Sequence, residues 1–247
     1  MQKSANLHLT ILISVFIFTS TLAKEKFSLS GDLFGKRVIT ENKGQFSDAI
    51  KDKSILFAYD NSDEGVYFHQ NSLTYRILEH FPMTERTKEK LEHGKKVTPK
   101  PDNAYFVNVS WKNSNPNIIP TVEALQNHYQ SYGDAIYKSN CYKKLVYKNI
   151  YNKIDVEYTF TDERIDGIKY NVILKPGANL ADYKMEFNGD IKNIKIRNNE
   201  IEIKTPYLTI KELSPIAIQN GKKLMCNFIL NDDNTVSFQI PNGYDPN

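Results

Sequence analysis

Beyond its first two dozen residues, the chain alternates apolar and polar positions with period two almost throughout. That period puts apolar side chains on one face of a strand and polar ones on the other. Tyr105, Val107, Val109 and Trp111 share one parity, with Asn108 and Ser110 on the other. Ile154, Val156, Tyr158 and Phe160 alternate with Asp155, Glu157 and Thr159. Ile168, Tyr170, Val172 and Leu174 repeat the pattern until Pro176-Gly177, and Tyr183, Met185 and Phe187 run to Asn188-Gly189.

The last third carries the clearest hairpin signals. Ile194 and Ile196 are joined to Ile201 and Ile203 through Asn198-Asn199. Asparagine tolerates the positive φ that a tight hairpin turn needs. Ile216 and Ile218 precede Asn220-Gly221, after which Leu224, Cys226, Phe228 and Leu230 continue the alternation. Asp232-Asp233-Asn234 then leads to Val236, Phe238 and Ile240. Short strands with regular turn signals predict an all-β, mostly antiparallel, sandwich-like fold. One stretch breaks the pattern. Thr84 to Lys100 is dense in charge, and its Glu92 and Lys96 have helical spacing, so a solvated loop or short helix is expected there.

The N-terminus reads differently. Lys3 precedes the apolar run Leu9–Phe18, and Thr21-Leu22-Ala23 supplies small residues before Lys24-Glu25-Lys26. This is the pattern of a secretory signal cut after Ala23. The run is short for a membrane span of about 20 residues, and no later segment suits a spanning helix. The expected organisation is a signal over 1–23 and an exported domain over 24–247, with two packed halves, 24–130 and 131–247.

Composition narrows the partners. The chain has 247 residues, of which 40% are hydrophobic, enough for a core. The net charge of +3 is small and acids interleave with lysines, so nucleic acid is not an expected partner. Two cysteines, Cys141 and Cys226, are compatible with a disulfide in an oxidising compartment or with two buried thiols. A β domain of this size folds without a staple, which favours free thiols.

Catalytic chemistry is thinly represented. The chain lacks His-Glu-x-x-His, Gly-x-Ser-x-Gly, a phosphate loop and a dinucleotide fingerprint. His69, His80, His93 and His128 lack metal-ligand spacing, so neither a metal nor another cofactor is expected. Asp155 and Glu157 share a strand face, about 7 Å apart. Paired carboxylates can hydrolyse glycosides, but alternating acids on an apolar-backed strand are ordinarily its wet face. Asp162, Glu163 and Asp166 crowd one turn that could attract calcium, although a solvated turn explains them as well. Tyr129, Tyr132, Tyr137, Tyr142, Tyr147 and Tyr151 cluster in sequence. Tyrosine suits sugar stacking or protein contact and equally suits half-buried strand positions. The candidate ligand-contact aromatics are Tyr129, Tyr132, Tyr137 and Tyr142.

Several motifs in order resemble a known family. They are Glu41-Asn42-Lys43-Gly44-Gln45, the run Tyr147-Lys148-Asn149-Ile150-Tyr151-Asn152-Lys153-Ile154-Asp155, and Lys169-Tyr170-Asn171-Val172 ending in Pro176-Gly177-Ala178. Glu212-Leu213-Ser214-Pro215-Ile216-Ala217 and Tyr244-Asp245 follow. Together they resemble the exported β-rich domain of unknown function found N-terminal to SBBP-type β-propeller repeats. That domain also occurs in large secreted proteins of gliding, type IX-secreting Gram-negative bacteria. The resemblance implies a secreted, cell-surface or periplasmic all-β domain with no catalytic residues assigned, working beside downstream propeller or sorting domains. The expected function is a non-catalytic exported module for adhesion, assembly or contact with a protein or glycan ligand. The alternative is a carbohydrate-binding or carbohydrate-active protein.

Overall fold

The computed structural model describes residues 8–18, 37–50, 52–60, 64–94, 96–97, 100–132, 137–160 and 167–247. Strands β1 (Leu9–Phe18) and β2 (Ile39–Glu41) come first, followed by the short helix α1 (Gln45–Ile50). A meander of β3 (Phe57–Asp60), β4 (Glu64–Phe68) and β5 (Ser72–Glu79) leads through helix α2 (Glu85–Glu92) to β6 (Asn103–Trp111). A second meander contains β7 (Thr121–Tyr132), β8 (Tyr137–Tyr151), β9 (Ile154–Phe160) and β10 (Ile168–Leu174). A single 3-10 turn, Leu180–Asp182, precedes β11 (Met185–Gly189). The chain closes with β12 (Asn193–Arg197), β13 (Glu200–Lys204), β14 (Thr209–Glu212), β15 (Ile216–Gln219), β16 (Lys222–Leu224), β17 (Asn227–Leu230) and β18 (Val236–Gln239).

Every described ladder is antiparallel. One wing runs β7-β8-β9-β10-β1. Strand β1 then meets β15 along one half and β14 along the other, with β13 and β12 beyond β14 and β16 beyond β15. The second wing starts where β2 pairs with β8 and continues β3-β4-β5-β6-β11-β18-β17. The 15-residue β8 belongs to both wings, so the sandwich folds about it. Rings meet across the two layers: Phe68 of β4 on Tyr158 of β9, Tyr59 of β3 on Phe160, and Trp111 of β6 on Tyr147 of β8. One apolar cluster gathers residues from Leu9 to Ile240, drawing on both expected halves. A smaller one joins Phe46, Ile55, Ala58 and Tyr67, with Tyr132 against it.

The period-two reading predicts most inward faces. Val107, Val109 and Trp111 are buried, as are Ile154, Val156 and Tyr158, and all four of Ile168, Tyr170, Val172 and Leu174. Asn198 and Asn199 both take positive φ, 50° and 60°, and Asn220-Gly221 does the same at 53° and 74°. The charged stretch holds α2, whose side chains are mostly exposed.

Strand β15 departs from the expectation. Ile216 is exposed and Ile218 half-buried, while Ala217 and Gln219 face inward. Two contacts set this parity. Ala217 lies in register with the buried Ile11 of β1 and leaves it room. The Gln219 amide donates to the Asp245 carbonyl at 2.7 Å and accepts from the Asp245 N–H at 2.9 Å. Strand β17 pairs with β18 and not with β15, so the expected continuous strand breaks at Met225-Cys226, and Leu230 is exposed. The apolar run assigned to an export signal supplies β1, with Leu9, Ile11 and Ile13 buried.

Candidate functional site

The sequence motifs fold into connections and staples. Asn42 caps α1, accepting from the Gly44 and Phe46 N–H groups while its amide donates to Ser47 Oγ and the Ile55 carbonyl. Gly44, at φ 119°, makes the bend into that helix, a conformation open to glycine at little cost. The Tyr147–Asp155 motif is the β8–β9 hairpin, with Asn149 and Lys153 at positive φ. Asp155 closes it, accepting from the Asn149 N–H and from Lys175 Nζ, each at 2.7 Å. Tyr147 donates its hydroxyl to the His69 and Ser72 carbonyls. Asp155 therefore caps a turn through a backbone amide and a lysine. Glu157, its partner on the strand face, lies 3.4 Å from Lys144 Nζ.

The four candidate tyrosines do not form one platform. Tyr129 is exposed, with Lys138 Nζ 5.3 Å from its ring centre. Tyr132 packs edge-on against Phe46, and burial pushes its hydroxyl up to about 12. Tyr142 meets Phe57 edge-on at 6.4 Å. Tyr137 pairs with Tyr132 across the β7–β8 ladder, and its side chain lies outside the described set. Tyr147 and Tyr151 are buried. The turn holding Asp162, Glu163 and Asp166 lies outside the described residues. Among the described residues no three His, Cys, Asp or Glu side chains gather as a metal site.

An open polar cleft of about 600 Å³ forms beside Tyr151, where the end of β6, the β8–β9 turn, the 3-10 turn and the β17–β18 loop converge. Tyr151 donates to the Lys112 carbonyl at 2.7 Å and receives the Lys184 N–H at 3.4 Å, which joins three of these elements. Asp233 sits between Lys112 at 3.3 Å and Lys184 at 4.0 Å. Hydrogen bonds from Thr235, with Lys112 next, hold the Asp233 carboxyl down at about 2. Asn113, Asn115 and Asn152 line the opening, and Asp182 adds a second acid. Two lysines thus face two aspartates, leaving a near-neutral wall rich in amide donors and acceptors.

Two further polar groups centre on buried side chains, His69 and Glu212. Ser54 Oγ is 2.9 Å from His69 Nδ1 and donates to Asp52 Oδ1 at 2.7 Å. His69 Nε2 is 3.0 Å from Thr74, whose hydroxyl donates to Asn108. Serine and aspartate crowd the same ring nitrogen, whereas a hydrolytic triad sets them on opposite ones. Burial lowers the His69 pKa, against the pull of Asp52. The second group is Glu212, fully buried and accepting from Tyr170 Oη at 2.7 Å. Burial raises its carboxyl to about 7, with the tyrosine opposing. Sequence reasoning passes over Glu212 as a landmark residue. The available signal is its parity with Ile210 on a short strand, which points it inward.

Cys141 and Cys226 are both free and buried. Burial raises both thiols, Cys226 to about 12. No helix among the described residues is long and apolar enough to cross a membrane. One family model, described as a domain of unknown function (DUF7948), matches residues 39–247 and so covers β2 to β18. No curated protein and no solved structure matches the chain.

Proposed function

We propose that this chain, which belongs to the DUF7948 family of domains of unknown function, acts as a non-catalytic exported module for adhesion, assembly or ligand contact. The observation that carries the reading is how the fold uses its reactive side chains. Asp155 caps a hairpin, His69 bridges Ser54 to Thr74, and Glu212 is sealed against Tyr170. Each is bonded within the scaffold, whereas a glycosidase needs two carboxyls flanking a sugar site. The charged start, apolar run and small residues before Ala23 support export with cleavage there. The ordered motifs support a place beside SBBP-type propeller repeats in secreted proteins of type IX-secreting Gram-negative bacteria, at the cell surface. Mass spectrometry of the protein from its native host tests the export step. A mature N-terminus at Lys24 is expected, and an intact Met1 on exported protein overturns it.

A carbohydrate-binding role is the second reading, favoured by the cleft at Tyr151. Its balanced charge and ring of asparagine amides suit a neutral hydroxylated ligand more than an anion. Calorimetric titration with neutral oligosaccharides decides it. Saturable heat that disappears in Asn152→Ala, with an unchanged melting temperature, supports this reading, and no heat with any sugar removes it.

A further inference from the structure

Strand β1 occupies an interior position between two sets of strands. Seven of its residues, Leu9 to Val15, run in register with β10 on one side. On the other, Leu9 to Leu12 pair with β15 and Val15 to Phe18 with β14. Leu9, Ile11 and Ile13 point into the core and are no more than 1% exposed. They stand opposite Leu174, Val172 and Tyr170, and Ile11 also faces the small Ala217. An export signal that is cut away takes this strand with it. The cut unpairs one whole edge of β10 together with the facing edges of β14 and β15, and it opens three apolar pockets spaced two residues apart. An open edge backed by apolar pockets is the form of site that accepts an added strand.

We propose that the mature domain binds, in the β1 slot, an extended strand donated by a different polypeptide. This rests on the export reading above. The resident strand states the chemistry of the guest: about seven residues or more, antiparallel to β10, with branched aliphatic side chains at alternate positions. The register is strict, because a one-residue slip turns every apolar side chain to the wrong face. A second copy of this chain is a poor donor, since every described strand after β1 is already paired within its own sheet. The family match begins at Ile39, so among the described strands β1 alone lies outside the family span.

The test uses the full chain with a specific protease site placed between Ala23 and Lys24, cut after folding. The probe is a fluorescent synthetic peptide of sequence His8–Phe18 with solubilising lysines at its ends. The peptide is expected to replace the cut segment saturably and to restore slow hydrogen exchange to the β10 amides. A peptide carrying Ile11→Lys and Ile13→Lys is expected to bind about 100-fold more weakly, because each lysine would be buried in an apolar pocket. Equal binding of both peptides, or of neither, overturns the proposal. So does full protection of β10 in cut, segment-free protein without peptide, which means that the chain closes its own slot. Peptide failure with a host N-terminus at Lys24 removes the donated strand alone. An intact Met1 removes the export reading and the donor together.

Discussion

Replacing Glu212 with glutamine should reverse the protein's stability ranking between acid and alkaline pH. The carboxyl is fully buried and titrates near 7, against an ordinary value of 4.5. Tyr170 bonds it, and Tyr75, Tyr158 and Tyr183 lie within electrostatic reach. Burial holds all four tyrosines well above their usual 10, so they stay neutral through the range. The native state therefore keeps a proton that the unfolded chain gives up above about pH 4.5. Stability is fully present below that pH and falls as pH rises through about 7. The loss is about 3 kcal/mol, at about 1.4 kcal/mol per pKa unit. Glutamine keeps an oxygen for the Tyr170 hydroxyl and has no charge to bury. Its amide carries two donor hydrogens where the protonated carboxyl carries one, and the extra buried donor costs about 1 kcal/mol. Urea unfolding of both proteins at pH 4 and pH 8.5 measures the difference, in which all other titrating groups cancel. The variant is expected to be about 1 kcal/mol less stable at pH 4 and about 2 kcal/mol more stable at pH 8.5. Parallel pH profiles for the two proteins would rule out a buried Glu212 that stays protonated in the native state.

Asp155→Ala removes the acceptor of the Asn149 N–H and leaves Lys175 only its 3.4 Å bond to Asn149 Oδ1, and is expected to cost about 1–3 kcal/mol in urea unfolding. Glu157→Gln, which loses only a long contact with Lys144, is expected to stay within about 0.5 kcal/mol of the parent in the same assay. Both thiols are expected to react with a labelling reagent in denatured, unreduced protein and to resist it in the folded protein at neutral pH, since burial raises both.

Where a strand has one wet face and one dry face, its sequence declares it. Strands β6, β9, β10 and β18 alternate cleanly, and the Asn-Asn and Asn-Gly turns announce their hairpins. Reading fails where side-chain size or a distant partner overrides the alternation. In β15 the apolar isoleucines face outward because Ala217 makes room for Ile11 and Gln219 finds the Asp245 backbone 26 residues away. Glu212 sits on a dry face because Tyr170, on another strand, supplies its bond. The tyrosine cluster looks uniform in sequence but divides by strand parity and ladder position. Tyr147 and Tyr151 enter the core, Tyr129 stays outside, and Tyr132 closes the small cluster at α1. The cleft at Tyr151 has no local signature, since it is assembled from four separated connections. The apolar segment Leu9–Phe18 satisfies two rules at once: its hydrophobicity suits an export signal, and its branched residues suit a buried strand.

The proposed function holds that this fold carries contact, not turnover. The measurement that bears on it most directly is hydrolysis of a broad polysaccharide panel by purified mature protein, followed by release of reducing ends. No release above the buffer control is expected, for the parent protein and for Glu157→Gln alike. Release by the parent that disappears in Glu157→Gln, while the two melting curves coincide, would contradict it.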